Sequence, residues 1–132
     1  MERERLSSIV EKIREDGRLS IEAMTELADA FGDGFQKALA AVREGRVKRY
    51  HFTPGPMEAA IVVGHEREYL LMPEVWYCGC KALYPKGLRE GPICYHMLAY
   101  KLAEALDVVE EVEMEAESYE AILDELKYGG SP

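Results

Sequence analysis

Cysteine is scarce in this sequence: three among 132 residues, and none before position 78. An odd handful of thiols does not make a disulfide framework, and it points to a compartment where thiols stay reduced. Long apolar runs are missing as well. Nothing approaches the roughly 20 consecutive apolar residues that cross a bilayer. The opening MERERLSSIVEKIRED is charged where a secretory signal carries an apolar stretch. The expectation is an intracellular protein, cytoplasmic or nucleoid-associated, neither secreted nor held by a membrane. No phosphate-cradling loop is present, since GDGF lacks the lysine and the serine or threonine that such a loop needs. No serine–histidine or paired-carboxylate arrangement stands out either. No catalytic residue, and no enzyme, is expected.

Positive charge is also short, and the shortage is local. The net charge is −9, but residues 1–53 carry ten basic and ten acidic side chains and residues 54–104 carry five and six. Residues 105–132 carry one and nine, so the acidic excess belongs to DVVEEVEMEAESYEAILDEL. A basic run stands apart from it at Arg43, Arg46, Lys48 and Arg49. Charges are screened over roughly 10 Å at moderate salt, so the acidic end does not by itself exclude a nucleic-acid surface elsewhere.

What remains is ordinary globular material, 48% hydrophobic and 31% charged, enough for a single domain over residues 1–132 of α+β class. Residues 1–45 read as helices. Leu6, Ile9, Val10 and Ile13 form one stripe that ends at Gly17. Ser20 is placed to cap a second helix bearing Ile21, Met24, Leu27, Ala28 and Phe31. Asp33 is placed to cap a third with Phe35, Ala38, Leu39 and Val42. Then RVKRYHFTP, MEAAIVVG and REYLLMPEVWYC, rich in Val, Ile, Tyr and Phe, read as consecutive strands of a small antiparallel sheet. GHE supplies one hairpin connection. MLAYKLAEAL is helical, VVEEVEM reads as an acidic edge strand, and ESYEAILDELKY reads as a last helix before a loose tail.

Between the last expected strand and the helix lies CGCKALYPKGLREGPICYH, residues 78–96, which holds every cysteine and one of three histidines. Residues i and i+2 of a strand share a face, so Cys78 and Cys80 can present two thiolates together, with Gly79 allowing close backbone approach. In a helix the same spacing turns through about 200°. Cys94 and His96 therefore work as a pair only if Cys94 precedes the helix and His96 sits in its first turn, a placement that Pro92 favours. Cys3His is a closed tetrahedral set for one structural zinc. The plainer reading is three buried thiols and an ordinary histidine, but confinement of all cysteine to this double pair argues for the metal. Lys81, Lys86 and Arg89 in the intervening loop are positioned to offset the site's negative charge. An acceptor is expected on the second imidazole nitrogen. Trp76, Tyr77, Tyr84 and Tyr95 have two readings, packing around the metal or stacking on single-stranded bases.

The paired C-x-C and C-x-H, led in by VKRYHF, IVVGHEREYLL and YCGC, resembles the SWIM zinc finger. CYHMLA, with Ala99 three residues after His96, is similar to the C-x-H-x-x-A ending of SWIM subunits of Shu-type recombination complexes and their archaeal relatives. The likeness covers about residues 46–106. It implies a ββα finger with zinc ligands Cys78, Cys80, Cys94 and His96. It further implies a non-catalytic adaptor in DNA recombination and repair whose partner is a RecA-family recombinase paralogue. The alternative is direct binding of single-stranded DNA, with Arg43, Arg46, Lys48, Arg49, Lys81, Lys86 and Arg89 as contact residues. Residues 1–45 and the acidic residues 107–132 match no motif.

Overall fold

A computed structural model describes residues 2–64, 67–80 and 93–127. The fold is α+β, with helices at the N-terminal end and a five-stranded sheet. Helix α1 (Glu2–Asp16) buries Leu6, Ile9, Val10 and Ile13, the stripe expected from their spacing. Helix α2 (Ile21–Phe31) starts on Ser20, whose hydroxyl oxygen accepts from the Ala23 N–H at 3.1 Å, a cap worth about 1 kcal/mol. Its buried face is set by Ala23 and Leu27. Ile21 is 78% exposed and Ala28 is exposed too, contrary to expectation. At 100° per residue, Ile21 falls across the helix from Ala23, so the two cannot share a face.

Helix α3 (Asp33–Arg43) buries Phe35, Ala38 and Ala41. Its N-cap is Gly32, not Asp33. One residue both closes α2 and opens α3, with φ 54°, a conformation that favours glycine. Asp33 is thereby moved into the first helical turn, where its carboxylate suits the positive end of the helix.

Strands β1 (Val47–Thr53), β2 (Glu58–Val63) and β3 (Glu68–Met72) pair antiparallel in sequence order. β2 is central and covered on both faces, which explains its continuous apolar run. Ala60 and Val62 join Val47, Leu71 and the N-terminal helices in the larger core. Ala59 and Ile61 join Phe52 and Leu70 in a smaller core on the other face, against Tyr119, Ile122 and Leu123.

The segment REYLLMPEVWYC is not one strand. Pro73–Val75 forms a 3-10 turn, Trp76 adopts φ 58°, and the chain doubles back as β4 (Tyr77–Cys78). Pro73 has no N–H to continue a ladder, and the reversal pairs Leu71 with Cys78 and Met72 with Tyr77.

Helix α4 (Tyr95–Leu106) is buried nearly all round, Leu98, Ala99 and Leu102 among its most enclosed residues. The three residues 107–109 then lead into β5 (Glu110–Glu115). β5 is the edge strand expected, but it pairs parallel to β1, from Lys48↔Glu110 to Thr53↔Glu115. The sheet is therefore mixed, in the order β4-β3-β2-β1-β5. A parallel neighbour needs a crossover, and the path through α4 provides it. A 3-10 turn (Ala116–Ser118) and helix α5 (Tyr119–Lys127) complete the described chain. No helix of the described residues is long and apolar enough to cross a membrane.

Candidate metal centre

β3, β4 and α4 form a ββα unit, and the four expected ligands lie at its junction. Cys78 ends β4 and is fully buried. Cys94 is the N-cap of α4, with extended backbone (φ −77°, ψ 162°), and His96 sits in the first turn. At a helix start, this is the placement that lets a C-x-H pair converge. Cys80 departs from expectation, because β4 stops at Cys78 and Cys80 lies in a tight turn beyond it. Gly79 makes that turn against β3: a Cβ there would stand 3.3 Å from the Leu70 carbonyl oxygen.

The three Sγ atoms and one imidazole nitrogen all lie within 4.8 Å of one another. Cys78 Sγ is 3.8 Å from His96 Nδ1. The thiols also act on one another. Hydrogen bonding from Cys78 and Cys80 pulls the Cys94 thiol well below its ordinary value, with smaller help from His96 and the Met97 backbone and with burial opposing. Hydrogen bonding with Cys80 and Cys94, then burial, pushes Cys78 up. Four soft and borderline donors on one point can hold one metal ion.

No protein-family model, curated protein or solved structure matches this chain. The site has to be read from its own geometry.

His96 is 6% exposed, and its Nε2 is buried with no hydrogen-bond partner among the described residues. The acceptor expected there is not among them. Instead the ring lies against two tyrosines, Tyr69 of β3 and Tyr95 of α4, each with centroids 4.1 Å away. Burial raises the Tyr69 phenol, against the opposing charge of Arg67. Tyr95 therefore packs at the site, as one of its two readings held. Trp76 packs beneath Lys101, whose Nζ is 4.4 Å from the indole centroid and donates to the Pro73 carbonyl at 3.3 Å. Burial lowers the Lys101 pKa.

The basic run does not form one patch. Arg43 is exposed at the end of α3. Arg46 donates to Glu44 at 3.0 Å and to the Val63 carbonyl at 2.9 Å. Lys48 pairs with Glu110 at 3.0 Å and Arg49 with Glu111 at 2.9 Å. Lys48 and Arg49, adjacent in a strand, face opposite sides of the sheet. Both join the acidic edge strand to the body through ion pairs whose carboxylates are about half exposed. Lys81, Tyr84, Lys86, Arg89 and Pro92 lie outside the described residues.

Sequence reasoning missed Tyr69, Arg67, Lys37 and Tyr100. Alternation places Tyr69 on the same face as Leu71, but no spacing rule brings it to His96, 27 residues away.

Proposed function

We propose that this chain is a non-catalytic zinc-binding adaptor of the SWIM type, acting in DNA recombination and repair beside a RecA-family recombinase paralogue. The observation that carries the reading is the convergence of Cys78, Cys80, Cys94 and His96 from a strand end and a helix start. Donors about 2.0–2.3 Å from one tetrahedral zinc stand roughly 3.5–3.8 Å apart, and the Cys78–His96 separation of 3.8 Å already meets this. Zinc supplies charge and a four-point cross-link between β4 and α4. With every position filled by protein, no site is left for a reacting water.

A protein partner is favoured over direct contact with nucleic acid by the ion pairs of Arg46, Lys48 and Arg49. Cations already held by carboxylates release few counterions from a phosphate backbone. The acidic excess of residues 105–132 points the same way.

Elemental analysis of the purified protein tests the site: one zinc per chain is expected, and none after Cys94→Ala. Co-purification with a RecA-like ATPase tests the partner. Tight single-strand binding that falls steeply with salt, with no ATPase bound, would favour the nucleic-acid alternative instead.

A further inference from the structure

We infer that Tyr69 and Tyr95 are positioning residues for the metal centre, bracing the His96 imidazole by ring contact so that Nδ1, not Nε2, is the ligating nitrogen. The inference rests on the metal reading above and names which of this chain's own groups orient its one nitrogen ligand.

A ligating histidine is ordinarily fixed by a hydrogen bond from its second nitrogen to a carboxylate, carbonyl or water. His96 has no such bond among the described residues, although Nε2 is buried. Its orientation must come from elsewhere. Both neighbouring rings lie at 4.1 Å between centroids, tilted by 33° for Tyr69 and 37° for Tyr95. Such offset, tilted contacts hold a ring in a preferred plane. With the imidazole so held, Nδ1 faces Cys78 Sγ at 3.8 Å.

The brace is itself supported. Arg67 lies over the Tyr69 ring at 4.9 Å and Lys37 lies over Tyr95 at 5.9 Å. A chain of contacts therefore runs from cation to tyrosine to imidazole to tyrosine to cation. It brings two positive charges near a centre that three thiolates and one divalent ion leave at −1. Gly64 keeps Tyr69 in place: a Cβ there would meet Tyr69 Cε2 at 2.7 Å and the Arg67 carbonyl oxygen at 3.2 Å. A side chain at position 64 would therefore have to displace the ring.

The experiment uses full-length protein loaded with Zn²⁺, long-range ¹H–¹⁵N correlation of the imidazole, and competition against a chelator. Wild type is expected to show Nδ1 ligation. Tyr69→Leu and Tyr95→Leu are each expected to weaken zinc binding about 10-fold or more and to broaden or lose the single Nδ1 pattern. Tyr69→Phe and Tyr95→Phe keep the ring and should stay near wild type. Gly64→Ala keeps every ligand and both tyrosines, and should still weaken binding by displacing Tyr69. Far-UV circular dichroism separates these effects from loss of fold. If a leucine variant does not fold, the wild-type ligation pattern and the Gly64→Ala and phenylalanine variants decide. Nε2 ligation in wild type would overturn the inference, as would unchanged affinity in folded leucine variants or phenylalanine variants as weak as leucine. If wild type holds no stoichiometric zinc, the metal reading itself falls.

Discussion

Arg49 of β1 and Tyr100 of α4 are joined twice: Nε and Nη2 both donate to the tyrosine hydroxyl, at 3.1 and 2.9 Å. The remaining nitrogen, Nη1, donates to Glu111 of β5 at 2.9 Å. One guanidinium thus fastens the central helix and the edge strand to the same residue of the sheet. Burial works against its charge, but Tyr100, Glu111 and Glu104 together hold its pKa above the ordinary value. Arginine suits this position because its donors form a planar fork.

Arg49→Ala leaves the buried Tyr100 hydroxyl without its donor and leaves Glu111 with His51 alone. Urea denaturation is expected to show a loss of about 1–3 kcal/mol. Arg43→Ala, at an exposed helix end, should stay within about 0.5 kcal/mol of wild type. Equal effects would mean that Arg49 serves the surface and not the body.

The second prediction concerns pH. His51 meets Glu111 through Nε2 and Glu58 through Nδ1, the latter at 3.1 Å. The hydrogen bond with Glu111 is the main cause of its raised pKa; the charges of Glu58 and Glu111 add to it, and burial and Arg49 oppose it. A raised folded value means that the stabilisation is complete below the unfolded value near 6.5 and is lost as pH rises through the folded value. The pair is open to solvent, so the size should stay below about 1 kcal/mol. An NMR titration of His51 should show a midpoint above 6.5, falling toward it in Glu111→Gln. Protection of the β5 amides, taken relative to their intrinsic exchange rate at each pH, should fall over the same rise in pH.

Helix α4 tests the core. Leu102 is fully buried, and Leu102→Ala should cost about 2–5 kcal/mol by lost burial and a residual cavity. Ala99 is equally enclosed, one turn beyond His96. Ala99→Leu should cost about 1–3 kcal/mol by overpacking, while Ala99→Gly should cost only about 1 kcal/mol through helix propensity. Thermal melts of the three variants would rank them.

At the centre itself, Gly79→Ala places a methyl 3.3 Å from the Leu70 carbonyl oxygen, a backbone atom with little room to yield. Cys78 and Cys80 flank it, so the thiol pair must shift. Retention of added Zn²⁺ against a chelator is expected to weaken. Chelation should also lower the melting temperature of wild type more than that of Gly79→Ala, since less bound metal is lost.

How far the chain could be read depended on how local each cause was. Stripes such as Leu6–Ile13 and the Ser20 cap depend on neighbours within one or two turns, and they stand where spacing put them. So does the Cys94–His96 pair at the start of α4, because only one backbone arrangement lets an i, i+2 pair converge there. Two errors arose at junctions between elements. Gly32 closes one helix and opens the next, which displaced the expected Asp33 cap. Pro73–Trp76 folded one expected strand into a hairpin.

By itself, then, the order of residues determined the α+β class, the buried face of α1 and the four donors, because each follows from backbone periodicity or from the chemistry of thiol and imidazole. Tertiary structure decided the rest. It turned β5 parallel to β1, paired Lys48 and Arg49 with its glutamates, and set Tyr69 against His96. These contacts join residues far apart in sequence, and only the packing of α4 on the sheet brings them within reach.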